Sequence, residues 1–215
     1  MSCLRIFVLI IFLYASPPFV QNKKKGSRRP SVPPPGTELI AIVDEHMPEV
    51  WKQLRSVDGG FSILFPGHPK ETTQVQSFQE QQFTSHIFQL LSPNAEYEVT
   101  YVDFPVRVDE QERIEGTLDG IRIDTIEKDK GQLLKESPLT IAGRPGRYIN
   151  WRTEKGAIWQ AKYFLAGYRI YMLSFGVPDD DACEEIKKFR ESLAGKFFDS
   201  FRLVTIKPVK QKSGT

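Results

Sequence analysis

The amino-acid sequence predicts an α+β domain in which an antiparallel sheet is covered by helices. Three observations lead there. Several segments of the body alternate apolar and polar residues, the pattern of strands. Short glycine-bearing turns join consecutive segments, as an antiparallel meander requires. The apolar spacing also lengthens to a helical period twice, over Glu110 to Lys130 and again beyond Asp179.

The elements follow in chain order. Leu39 to Leu54 sets Ile40, Val43, Met47, Val50 and Leu54 near helical spacing, but Pro48 interrupts it. A short helix or an irregular lead-in is expected. In "GGFSILFPGHP", Phe61, Ile63 and Phe65 alternate with Ser62 and Leu64, and Pro66-Gly67 closes the strand. Phe83 to Leu91 is a second strand, stopped by Ser92-Pro93-Asn94. Tyr97 to Phe104, "YEVTYVDF", is a third, rich in β-branched and aromatic residues. From Glu110 to Lys130, Ile114, Leu118, Ile121 and Ile126 form the stripe of an amphipathic helix. Gly116 and Gly120 each weaken it by about 1 kcal/mol relative to alanine, which points to close approach to a sheet.

Strands then return. Leu133 to Ile141 is followed by a turn over Ala142 to Gly146, and Arg147 to Thr153 pairs back. Glu154-Lys155-Gly156 turns into Ala157 to Leu165, and Ala166-Gly167 into Tyr168 to Phe175. In the strand from Ala157, Trp159, Ala161, Tyr163 and Leu165 share one face, while Ile158 and Phe164 share the other. Large apolar groups on both faces mark a central strand with cover on each side. A last helix starts in the acidic run Asp179 to Asp181, with Asp181 and Glu184 at capping-box spacing. Ile186, Phe189, Arg190 and Leu193 give its buried stripe and the edge of that stripe, and Gly195 fits a C-terminal stop. "FFDSFRLV", Phe197 to Val204, closes the domain as a strand. The expected order is three strands, helix, four strands, helix, strand. It has no fixed-period repeat and no Rossmann-type alternation.

This body, 39–205, is one domain of a 215-residue chain with 40% apolar and 26% charged residues. Before it, "MSCLRIFVLIIFLYAS" has one early charge, Arg5, and an apolar run from Ile6 to Tyr14. The run is shorter than the roughly 20 residues of a bilayer span and has the length of a signal-peptide core. Residues 1–20 therefore read as a signal peptide, with cleavage after Ala15, or as an N-terminal membrane anchor. Residues 21–38 are a basic, proline-rich, disordered linker, and 206–215 a flexible tail. The linker's basic run can also attract anionic lipid or a cell-surface polymer. Net charge is +2, and the positive excess sits in Lys23, Lys24, Lys25, Arg28 and Arg29. The body thus presents no broad basic surface for nucleic acid.

Chemistry-bearing residues are few. The histidines, His46, His68 and His86, have no partner at metal-ligand spacing. His68, between Gly67 and Pro69, reads as a turn residue. Cys3 and Cys183 are the two cysteines, and removal of the leader leaves Cys183 without a disulfide partner. "AGRPGR" lacks the Gly-Lys-Ser/Thr of a Walker loop. No catalytic, cofactor or metal residue is assigned. The hairpin from Tyr163 to Phe175 and the neighbouring turn carry arginines and aromatics, the types enriched at interfaces. Arg144, Arg147, Arg169 and Tyr171 are the expected interaction surface.

The phrases "GFSILFPGHP", "YEVTYVDFP", "AKYFLAGYRIYMLSFG" and "KFFDSFRL" resemble a family of small exported bacterial proteins of unassigned function. The element order is similar to that of the PsbP-like α-β-α sandwich. That superfamily includes extrinsic photosystem proteins of the thylakoid lumen and a Ran-binding nuclear import factor. The resemblance spans Gly59 to Val204 and implies a non-enzymatic binding or assembly fold. It carries over no functional residue. The expected function is binding of a protein or cell-envelope component outside the cytoplasm. The alternatives are a small hydrolase with an unrecognised site and a lipid or small-ligand carrier.

Overall fold

The structure, a computed structural model, describes residues 50–78, 81–104, 111–179 and 183–204. The leader, the basic linker, His46, Asp181 and the tail lie outside them. Ten strands and two helices occur among the described residues, in the order β1 (Lys52–Ser56), β2 (Phe61–Phe65), β3 (Lys70–Phe78), β4 (Gln81–Leu91), β5 (Glu96–Asp103), α1 (Gln111–Lys128), β6 (Gln132–Ile141), β7 (Arg144–Arg152), β8 (Ala157–Ala166), β9 (Arg169–Pro178), α2 (Glu184–Asp199) and β10 (Arg202–Leu203). Seven strands form one antiparallel sheet in the order β3-β4-β5-β9-β8-β7-β6, and β1-β2-β10 form a second, smaller one. This is an α+β fold dominated by antiparallel pairing.

Strand alternation divides the large sheet into two faces with different partners. Cross-strand pairing sets Tyr101, Tyr171 and Phe164 in one row, and Val99, Leu173 and Lys162 in the next. This face meets α2 and the small sheet. Phe197 packs edge-on against Tyr97 and Phe65, and Lys162 lies 4.9 Å above the Phe198 ring. Phe61 is the hub, in ring contact with Phe88, Tyr101, Tyr171 and Phe201. The other face carries Arg147, Tyr163 and Met172 in one row and meets α1. The Tyr163 hydroxyl donates to the carbonyl of Leu118, and Trp151 Nε1 donates to Asp129 Oδ2 at 2.7 Å. On α1, Ile114, Leu118 and Ile121 are buried, as the helical stripe predicts. The strand from Ala157 is internal, with large buried groups on both faces.

Several expectations need correction. Two strands were not anticipated. β1 occupies the end of the expected irregular lead-in, and β3 fills the stretch after the Pro-Gly-His-Pro turn. Residues Arg144 to Gly146 belong to β7 and not to the preceding turn, which is only Ala142-Gly143. Both of those residues have positive φ, as a tight two-residue hairpin turn demands. Gly116 faces open space, so it serves no close approach. Helix α2 begins with Cys183 at its N-cap, without a side-chain cap, which displaces the expected capping role of Asp181. Gly195 does not stop α2. The helix continues through Phe197 and Phe198, because both extend the buried stripe begun by Leu193 and Ala194. Only Arg202–Leu203 of the closing phrase is a strand.

Candidate functional site

One end of the large sheet gathers the exposed arginine and aromatic groups. It is the end carrying the β8–β9 turn. There Gly167 adopts positive φ at the first of two loop positions, which glycine tolerates and which suits a type II′ hairpin. The turn leaves Tyr168 standing 53% exposed. Next to it, Arg169 is held on three sides. Its Nε and Nη2 bond the two oxygens of Asp103 at 2.5 and 2.7 Å, and Nη1 donates to the carbonyl of Asp58 at 2.7 Å. The guanidinium lies 4.4 Å over the Tyr101 ring, and His86 stacks on the same tyrosine at 4.5 Å, nearly parallel. Partial burial is the largest single influence and works against the arginine's charge, but hydrogen bonding and charge attraction from Asp103 and Tyr171 together outweigh it and keep Arg169 a permanent cation. Bidentate geometry restrains the side chain, so this group is pre-organised.

The four residues expected to share a surface are split by strand geometry. Arg144 and Arg147 are three positions apart in β7, so they point to opposite faces. Arg144 is exposed and close enough to influence the Tyr171 hydroxyl. Tyr171 itself is 4% exposed, and its hydroxyl donates to the carbonyl of Gly59 at 2.7 Å. It therefore locks the β1–β2 turn to the sheet and contributes packing, not contact area. Arg169 and Arg144 remain near the surface, with Tyr168 beside them.

Arg147 has a different task. Its guanidinium bonds Asp119 and Glu115 on α1, the latter at 3.0 Å, and Glu136 on β6 at 2.8 Å. Arg122 adds a contact to Glu136 at 3.5 Å. Glu115, Asp119 and Arg122 recur at helical spacing, which is why one face of α1 reaches this cation. The arginine side chain is only 13% exposed, whereas the carboxylates are more open. Arg147→Ala is expected to destabilise the domain by about 1–2 kcal/mol, less than a fully buried pair because the carboxylates are screened. Arg147→Lys should recover only part of this, since an ammonium cannot span the fork. Urea denaturation of the three proteins checks both expectations.

Beneath the second half of α1 lies a buried polar group that sequence reasoning missed. Glu96, Glu98, Thr100 and Ser174 are all buried. Thr100 Oγ1 donates to Glu98, and Gln89 Nε2 donates to Glu96 at 2.6 Å. Burial raises the Glu96 carboxyl above its usual range, partly offset by Gln89. Burial also pulls Lys128 down to about 8, against the opposing pull of Asp129 and Glu98. Strand alternation held the signal: in "EYEVTYVD" the polar Glu96, Glu98 and Thr100 face α1, and tyrosine and valine fill the opposite face.

Asp124, on the same helix, has a buried Oδ2 without a hydrogen-bond partner, and desolvation followed by Glu127 raises its carboxyl to about 6. A carboxyl raised on folding binds more protons folded than unfolded, so stability falls as pH rises from about 4 to about 6. Asp124→Asn removes that loss. The variant should melt higher than the parent at pH above 6 and match it more closely near pH 4. Thermal melts across that range decide the matter.

The remaining chemistry-bearing residues are isolated. His68 is exposed, with Nε2 2.8 Å from Lys52 Nζ. Cys183 is exposed and free. Among the described residues no three His, Cys, Asp or Glu side chains are grouped to hold a metal ion. Nor is any helix among them long and apolar enough to cross a membrane.

No family model matches the chain, and no curated protein matches it significantly. Among solved structures, the chain is similar to the solution structure of cyanobacterial PsbP from Synechocystis, with a TM-score of 0.49 and 9% identity over 72% of this chain and 93% of that one. It is also similar to a protein of unknown function from Pseudomonas aeruginosa, with a TM-score of 0.35 and 11% identity over 66% of this chain and all of that one.

Proposed function

We propose that the chain is a non-enzymatic domain that binds a protein or cell-envelope component, carried out of the cytoplasm by its N-terminal apolar run. Its layers are read as an α-β-α sandwich of the PsbP-like kind. The contacts of α1 with the Tyr163 face and of α2 with the Lys162 face support that reading. The binding surface is the sheet end described above. The observation that carries it is Arg169, locked by Asp103 over the buried Tyr101 ring on which His86 stacks, with Tyr168 exposed in the adjoining turn. An arginine held in place before binding loses little side-chain entropy on contact, and arginine and tyrosine are among the residues that dominate interface energies.

Affinity capture from envelope extract tests the proposal. The full chain should retain a partner that an Arg144→Glu, Tyr168→Ala double variant loses while keeping its fold. Equal recovery by the variant rejects this surface. Substrate turnover by the purified chain rejects the non-enzymatic reading.

A further inference from the structure

The two edges of the large sheet differ in a way that bears on assembly. An unpaired edge strand presents a row of backbone donors and acceptors, and proteins usually blunt it. The β6 edge is blunted. Pro138 within it has no N–H, and its register with β7 slips between Leu133 and Lys135. The β3 edge carries no such device. Lys70 to Phe78 contains no proline or glycine, and its register with β4 is unbroken over its whole length. Among the described residues no strand pairs with its outer side. Glu71, Thr73 and Val75 are exposed there, Val75 to 63%. The edges of the small sheet are poorer templates, because β10 has two residues and β1 has five, with cations at Lys52 and Arg55.

We infer that β3 pairs antiparallel with β3 of a second copy of this chain, about a two-fold axis at or next to Thr73. Three observations favour a second copy over another occupant. An axis through Thr72 or Thr73 sets no like charges opposite each other: Glu71 faces Thr73 or Val75, and Lys70 faces Gln74 or Gln76. At the axis itself Thr72 or Thr73 faces its own copy, and threonine opposite threonine is a favourable cross-strand pair. The net charge of +2 gives two copies little mutual repulsion. With one edge open and the other blocked, pairing closes at two copies and does not continue into a filament. The proposed binding surface adjoins this edge, because Thr73 pairs with His86, and self-association read by sedimentation is distinguished from capture of a partner.

Sedimentation velocity of the full chain over a concentration series tests it. The parent should populate a dimer. Thr73→Glu with Val75→Glu should be monomeric, since every such register then opposes carboxylates, and Thr140→Glu on β6 should remain dimeric. Amide exchange within β3 should also slow in the parent as concentration rises, which needs no variant to fold. A parent that stays monomeric, a glutamate variant that stays dimeric, a Thr140→Glu protein that dissociates, or concentration-independent exchange in β3 overturns the inference.

Discussion

Phe164→Ala is expected to lower the stability of the domain by about 3–5 kcal/mol, the range for deleting a large ring from a packed core. The ring is fully buried at 0% exposure. It stacks on Tyr171 at 5.2 Å and meets Phe201 edge-on at 5.7 Å. These neighbours belong to different elements, β9 and the segment after α2, so no single side chain can close the void. Phe164 also lies on an internal strand, where backbone shifts are resisted on both sides. A denaturant titration should show a lower midpoint with an unchanged slope. A midpoint within error of the parent would show that the ring is not in the core.

Gly146→Val should be nearly as damaging, at about 3 kcal/mol, but by crowding and not by loss. A Cβ at this position would sit 2.5 Å from the Tyr163 carbonyl oxygen and 2.7 Å from Phe164 Cβ. The first of these is backbone of the facing strand β8 and cannot rotate away. Combining the two substitutions distinguishes the causes. Alanine at 164 keeps its Cβ, so Phe164→Ala does not relieve Gly146→Val, and the double variant should show no rescue. Recovery of stability in the double variant would mean that the ring, and not the backbone, is the obstacle.

What could be read from sequence follows from where each strand lies. β8 was legible because both faces are buried, which writes large apolar residues at consecutive positions. β3 was not, because an edge strand with polar side chains has no apolar rhythm: "KETTQVQSF" alternates charge, threonine and glutamine. β1, "KQLRS", is silent for the same reason. The end of α2 misled through composition. Phe197 and Phe198 suit a strand in isolation, yet they complete a helical stripe whose period is visible only from Leu193 onward. At the candidate site, sequence supplied the residue types but not the pairings. Arg169 and Asp103 are 66 positions apart, and nothing local couples them. Arg144 and Arg147 looked like one patch because proximity in sequence was taken for proximity on a surface. Strand geometry sends them to opposite faces.

The small sheet has a mechanical consequence. β1 and β10 both run antiparallel to β2, and hence parallel to each other. Lys52, at the start of β1, sits opposite Phe65, whereas Leu203, at the end of β10, sits opposite Phe61. Tension between these ends pulls the two outer strands in opposite directions along the length of β2. Bonds perpendicular to the strands then carry the load together as a shear clamp, and do not open one after another. With two residues, β10 is the weaker arm. It yields before the seven-stranded sheet, whose strands lie outside the line of force.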